Sequence, residues 1–324
     1  MIKDAVSPLE PRYEDLAGDG FGRKARRHFL ATRPKFLTAS VLPVLVGTAW
    51  GATVAGGLEL GVAVLALMAT ALVHCASNVI NDVGDEVSGS DPANDERIYP
   101  YTGGSRFIQN RIMTVQEMNR WGYVLLGVAA VLGLALTLMK GPLVMILGIS
   151  GIAIGVFYSL PSVQLVARGV GEACIAVAFG LLPVCGAAWL QSGVIDWASV
   201  LVAVPVGLWV TLILLINEVP DRKADAAAGK RTLVVRLGVA GARRLYQALH
   251  VVAFGCLVAL SVSGLMPWWV AVSGAVVLLG GLKAAAGIGN EAGGRAMLTK
   301  SIEMTLGLQA AGSILVILGA IFAP

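Results

Sequence analysis

The chain has 324 residues, of which 56% are hydrophobic and only 14% charged, and its mean hydropathy is +0.78. A soluble domain carries about 25% charged residues, so an ordinary water-soluble globule is excluded and the bilayer becomes the expected solvent. The net charge of +4 says little by itself, and no nucleic-acid partner is expected.

In chain order, residues 1–35 form a polar, basic N-terminal segment with no short apolar core and cleavage site, so no cleavable signal peptide is read there. Residues 36–324 form one transmembrane domain. Spanning a bilayer as a helix takes about 20 apolar residues, and runs of that kind predict nine helices, near 36–56, 59–80, 121–139, 142–160, 169–190, 196–217, 244–264, 267–287 and 303–323. The fold class is therefore all-α, a polytopic membrane protein. With the N-terminus in the cytoplasm, this layout puts every lysine and arginine but Lys140 on the cytoplasmic side, as the positive-inside rule requires. Trp197, Trp268 and Trp269 fall at the opposite interface. The expectation is an integral plasma-membrane protein. Its two long polar segments, 81–120 and 218–243, place the working face in the cytoplasm.

Two acidic motifs stand out. The second span ends in Asn78-Val79-Ile80-Asn81-Asp82-Val83-Gly84-Asp85, followed by Asp91. The sixth ends in Asn217-Glu218-Val219-Pro220-Asp221, followed by Asp225. Each contains an asparagine with an aspartate at +4, and the two copies lie 136 residues apart, which suggests a weak internal duplication. Residues i and i+4 share a helix face, so Asn81 pairs in direction with Asp85, and Asn217 and Asp225 with Asp221. Carboxylates at a membrane boundary are costly unless paired or solvated. Two such faces opposed across a cavity offer hard oxygen ligands for Mg²⁺, which takes one or two carboxylates plus phosphate and water.

Basic residues flank both motifs: Arg33 and Lys35 before the first span, Arg106 after the turn Thr102-Gly103-Gly104-Ser105, Arg168 before the fifth span, and Lys223 and Lys230 beside the second motif. Arginine grips phosphate in a bidentate fork and lysine supplies a mobile charge. Positive-inside topology accounts for the same residues without any ligand. Glu172 either pairs with Arg168 at i−4 or orients an acceptor hydroxyl, and Tyr158 is a candidate cavity residue. The four cysteines show neither zinc nor disulfide spacing. His28, His74 and His250 show no metal spacing. The glycine run 287–293 lacks the strand that a dinucleotide site needs.

At these residues the chain resembles the UbiA superfamily of intramembrane prenyltransferases. Arg33-Pro34-Lys35, Asn81-Asp82-Val83-Gly84-Asp85, Tyr158-Ser159 with Pro161, Arg168-Gly169 with Glu172, and Asp221 with Asp225 followed by Gly229-Lys230-Arg231-Thr232 are similar to that family's motifs. The resemblance implies nine helices around a central cavity. It also implies transfer of a polyprenyl group from an allylic diphosphate to an aromatic acceptor. Catalytic roles would fall to Asn81, Asp82, Asp85, Asp221 and Asp225, and Mg²⁺ binding to Asp82, Asp85, Asp91, Asp221 and Asp225. Substrate contacts would come from Arg33, Lys35, Asn78, Arg106, Tyr158, Arg168, Glu172, Asn217 and Lys223. Gly89 stands where many members carry a further aspartate, and the acid comes two residues later at Asp91. That spacing is similar to the menaquinone branch, acting on 1,4-dihydroxy-2-naphthoate, rather than to the 4-hydroxybenzoate, haem and chlorophyll branches. A family member with another aromatic acceptor, of the 4-hydroxybenzoate or homogentisate type, is the alternative. A secondary transporter is the competing class, since transporters also combine internal repeats with buried charge.

Overall fold

The computed structural model describes residues 9–160, 162–289 and 293–324. Residues 1–8 of the N-terminal segment, Pro161 of the Tyr158 motif and residues 290–292 of the glycine run lie outside the described residues. In hydrocarbon every backbone N–H and C=O must find its partner within the protein, and the regular elements among the described residues are all helical. A helix α1 (Phe21–Ala31) precedes nine rods: α2 (Thr38–Ala55), α3 (Leu60–Ser88), α4 (Val115–Lys140), α5 (Leu143–Ser159), α6 (Gly171–Ser192), α7 (Trp197–Ala227), α8 (Leu233–Val262), α9 (Trp268–Ala284) and α10 (Gly294–Ile321). Eight of the nine are long and apolar enough to cross a membrane, and α5, with 17 residues, is at the short limit. The chain is an integral membrane protein.

Several helices outrun their hydropathy. α3 continues past residue 80 to Ser88, α7 past 217 to Ala227, and α8 begins at Leu233 rather than near 244, with a kink at Gly238, where φ is 65°. The two long polar segments are thus partly helical. Hydropathy marks where a helix leaves hydrocarbon, whereas capping chemistry decides where it stops. α3 stops at Gly89, whose φ of 78° suits glycine in the left-handed region. α4 starts in a capping box, with Thr114 Oγ1 accepting from Glu117 N while the Glu117 carboxylate accepts from Thr114 N. Thr232 Oγ1 caps α8 by accepting from Val235 N. The extensions of α3 and α7 carry residues of the acidic motifs, so Asp82, Asp85, Asp221 and Asp225 sit on the last turns of helices, while Asp91 follows the end of α3.

Membrane helices associate by close packing, because lipid is as apolar as leucine. Here α2 packs along α6, α3 along α4, and α7 along α8. A Cβ at Gly47 or Gly51 of α2 would land on the Val184 or Ala188 carbonyl of α6, so these two backbones touch. Gly180 of α6 and Gly207 of α7 meet in the same way. The largest core cluster, including Trp209, Tyr246 and Leu257, lies mainly among α6–α10. On the short-loop face, Lys140 at the end of α4 forms an ion pair with Glu59 before α3, and Trp197 and Trp268 are exposed.

Candidate active site

The last turns of α3 and α7 bring their acids together beneath a strap formed by residues 89–106. Three residues of the strap each hold one acid. Ser90 Oγ donates to Asp225 Oδ1 at 2.7 Å, Asn94 Nδ2 donates to Asp221 Oδ1 at 2.7 Å, and Ser105 N donates to Asp82 Oδ2 at 3.0 Å. Arg106 is itself 7% exposed, and its Nη1 donates to the Asp91 carbonyl at 2.8 Å. The turn ahead of it needs positive φ at Gly103 (76°) and Gly104 (74°), which glycine adopts without steric cost. A Cβ at Gly104 would strike Asp91 Oδ2 and come within 3.1 Å of Asp82 Oδ1. Those two oxygens therefore converge on one spot.

Positive charge enters this cluster from two sides. Lys230, 3% exposed, places Nζ 2.6 Å from Asp85 Oδ1 and 3.4 Å from Asp225 Oδ1. Burial alone would lower the Lys230 ammonium, but the two carboxylates outweigh it and hold it above its ordinary value. Arg33 Nη1 lies 3.6 Å from Asp82 Oδ1, and its Nη2 donates to the Tyr101 carbonyl at 3.4 Å. Asp91 has no such partner. Burial, and then the carboxylates of Asp85, Asp82 and Asp221, push its carboxyl well above the usual range.

Below the acids an apolar cavity of about 500 Å³ opens into the bundle. Its walls come from α2–α7, not from all nine rods. Arg33, Asn78, Asn81, Tyr158 and Asn217 ring its polar end. Asn81 Nδ2 donates to Ser159 Oγ at 3.1 Å, Asn78 Nδ2 donates to the Thr32 carbonyl at 3.0 Å, and Asn217 Oδ1 is buried without a hydrogen-bond partner. Leu134 of α4 and Ile149 of α5 line the cavity and are exposed.

One expected contact is absent, and Lys223 and Lys35 lie apart from the acids. Arg168 and Glu172 form no pair. Gly169, with φ of 73°, separates a 3₁₀ turn from the start of α6, so the two residues do not share one helix. Arg168 Nε instead donates to the Val163 carbonyl at 2.6 Å, while Glu172 Oε1 accepts from Leu233 N at 3.2 Å. Lys223 forms an ion pair with Glu96 at the surface. Lying two residues from Asp221 and two from Asp225, it points about 200° away from them around the helix. Lys35 places Nζ 3.8 Å from the Tyr101 ring centroid, beside the cavity mouth rather than on a carboxylate. Sequence reasoning gives no role to Ser90, Asn94 or Ser105, although Ser90 and Ser105 fall within the Gly89-Ser90-Asp91 spacing and the Thr102–Ser105 turn. It also passed over the buried Glu218, whose carboxyl lies beside that of Glu172.

The donor set suits a hard divalent cation. Asp82 Oδ1 and Asp91 Oδ2 are buried with no hydrogen-bond partner, and both face the spot that a Cβ at Gly104 would fill. Among the described residues no three carboxylates stand as a finished ligand set, because the Lys230 ammonium sits between Asp85 and Asp225.

The fold and site define a polytopic helical membrane protein with an apolar cavity beside a buried acidic cluster. Residues 40–301 match the UbiA prenyltransferase family, and the chain belongs to that family: it is a prenyltransferase. It is 35% identical over 243 residues to the 1,4-dihydroxy-2-naphthoate octaprenyltransferase of Escherichia coli, covering 73% of this chain and 77% of that one. The protein of the same name from Mycobacterium leprae is 34% identical over 225 residues, 69% of this chain and 74% of its own. Among solved structures, a UbiA homolog from Archaeoglobus fulgidus bound to GPP and Mg²⁺ has a TM-score of 0.64 at 17% identity. It covers 90% of this chain and 99% of its own. That likeness carries the fold. Membership of an enzyme family decides between prenyl transfer and transport.

Proposed function

We propose that the protein transfers a polyprenyl group from an allylic polyprenyl diphosphate to 1,4-dihydroxy-2-naphthoate, with Mg²⁺ at the acidic mouth. One observation carries the reading: Asn81 and Asn217, from the two helix ends that bear the acids, line the polar end of an apolar cavity together with Arg33, which reaches Asp82, and Asp82 Oδ1 and Asp91 Oδ2 remain without a hydrogen-bond partner. The naphthoate assignment is supported by the relatives' activity and by the Gly89-Ser90-Asp91 spacing. A 4-hydroxybenzoate or homogentisate acceptor would use the same machinery.

When bound by a subset of Asp82, Asp85, Asp91, Asp221 and Asp225, Mg²⁺ would neutralise charge developing on the departing diphosphate. Arg33 and Lys230 border the same space and add fixed positive charge. The donor's C–O bond breaks, its electron pair leaving on the diphosphate. The ring carbon bearing the carboxylate then forms the new C–C bond, and that carboxylate departs as CO₂, returning its electron pair to the ring. The apolar walls hold the tail and exclude water that would quench the cation. The lysine and arginine asymmetry supports a cytoplasmic mouth, and residues 36–324 form the catalytic domain.

The test is an assay of purified protein with a polyprenyl diphosphate, with and without Mg²⁺, offering 1,4-dihydroxy-2-naphthoate and 4-hydroxybenzoate separately. Product from the naphthoate alone, lost with EDTA, is expected. Asp85→Ala and Asp221→Ala should each abolish transfer in protein that still melts cooperatively. Near-normal transfer by both variants refutes the assignment.

A further inference from the structure

His74 lies on the cavity-facing stripe of α3, four residues deeper than Asn78 and seven deeper than Asn81, or roughly 6 and 10 Å along the axis at 1.5 Å per residue. Its ring lines the cavity. Two other helices hold it in place. Ser40 Oγ of α2, also in the cavity wall, hydrogen-bonds to Nδ1. The ring of Phe179 in α6 meets the imidazole edge-on, with centroids 5.1 Å apart and planes at 80°. Phe179 sits in the π-helical turn Val177–Leu181, a distortion that redirects side chains and recurs at functional sites.

Ser40 and His74 Nδ1 satisfy each other, which leaves the second imidazole nitrogen. A prenyl tail gains nothing from it, and desolvating it in an apolar cavity costs free energy unless a ligand bonds to it. A hydroxylated aromatic ring uses both that nitrogen and the aromatic wall. Its hydroxyl both donates and accepts, so it can bond to the second imidazole nitrogen in either tautomer, while Phe179 and Phe36, also in the wall, offer aromatic surface. The depth suits a ring lying under the diphosphate, with its reacting carbon toward the mouth.

Resting on the transfer reading above, we propose that His74, held by Ser40 and Phe179, is the hydrogen-bonding station for a hydroxyl of the aromatic acceptor. It positions the acceptor and does not bind the diphosphate donor.

The experiment uses the full-length purified protein with Mg²⁺, polyprenyl diphosphate and 1,4-dihydroxy-2-naphthoate, comparing His74→Phe, His74→Gln and Ser40→Ala. His74→Phe should raise the acceptor KM about tenfold, the worth of one hydrogen bond, with the donor KM unchanged. His74→Gln, whose amide also donates and accepts, should recover most of that loss, and Ser40→Ala should fall between. Binding is read separately by fluorescence titration with the dihydroxynaphthoate and with 2-naphthoate, which lacks both hydroxyls. The wild type should prefer the dihydroxy compound about tenfold, and His74→Phe should abolish the preference. An unchanged acceptor KM, an equal rise in donor KM, or a preference that survives His74→Phe overturns the proposal. Should His74→Phe fail to fold, Ser40→Ala removes one hydroxyl and reads the same quantities. If the wild type binds with the hydroxyl preference but transfers nothing, the transfer reading fails and the station stands.

Discussion

Lys230→Met replaces a buried ammonium with an apolar chain of similar length and leaves two carboxylates facing each other. In the wild type, Nζ lies 2.6 Å from Asp85 and 3.4 Å from Asp225, on a residue 3% exposed. Breaking a buried ion pair by removing one partner costs about 3–5 kcal/mol, because the charge left behind is uncompensated. For a chain of this size that corresponds to a fall in Tm on the order of 10 °C. Because the folded-state value is raised above 10.5, the lysine's contribution is fully present below pH 10.5 and is lost only as pH climbs past the raised value. The difference between variant and wild type should therefore hold from neutrality to about pH 9. Scanning fluorimetry in EDTA measures it. Adding Mg²⁺ should restore much of the variant's Tm, since a divalent cation can take the vacated place, while transfer stays impaired. An unchanged Tm in EDTA would refute the claim that Lys230 is the cluster's internal counter-ion.

Two other expectations concern the same mouth. Gly104→Ala combines a left-handed backbone, costing about 1 kcal/mol or more, with a methyl group driven into Asp91 and close to Asp82. It should weaken Mg²⁺ binding by about tenfold or more, measured by metal titration of melting temperature. Asp91 holds its proton more tightly than an ordinary carboxyl. In EDTA its contribution to stability is therefore present at acid pH and lost as pH rises through its raised value. Because Mg²⁺ must displace that proton, the metal-induced rise in Tm should be larger at about pH 8 than at about pH 6. A rise independent of pH would exclude Asp91 from the metal's surroundings.

The rods and the acidic residues were legible because each rests on a strong local signal. Twenty apolar residues have few folded solutions besides a spanning helix, and Asn-x-x-x-Asp repeated at matched ends shows its own geometry. Lys230 was visible only as one of several basic residues near the second motif. Its place between Asp85 and Asp225 depends on the left-handed Gly229 and the short 228–232 turn that brings it back over α7. Ser90, Asn94 and Ser105 are common loop residues, and only the path of the strap turns them toward carboxylates. The Arg168–Glu172 expectation failed because i, i+4 reasoning presumes one continuous helix, and Gly169 breaks it. His74 carried a usable signal: counting back from Asp85 through Asn81 or Asp82 and Asn78 in steps of three and four reaches it on the same stripe.

The glycines of the bundle meet different surroundings. Those joining α2, α6 and α7 are in backbone contact, whereas Gly127, Gly133, Gly148 and Gly151 of α4 and α5 face open space. The α2–α6–α7 flank is thus closed by backbone contact, while Gly133, Gly148 and Gly151 leave room on the cavity side of α4 and α5. Of the two helix ends that carry the acids, that of α7 belongs to the closed flank and that of α3 packs along α4. The acidic cluster is therefore assembled across the seam between a tightly joined wall and a roomier one.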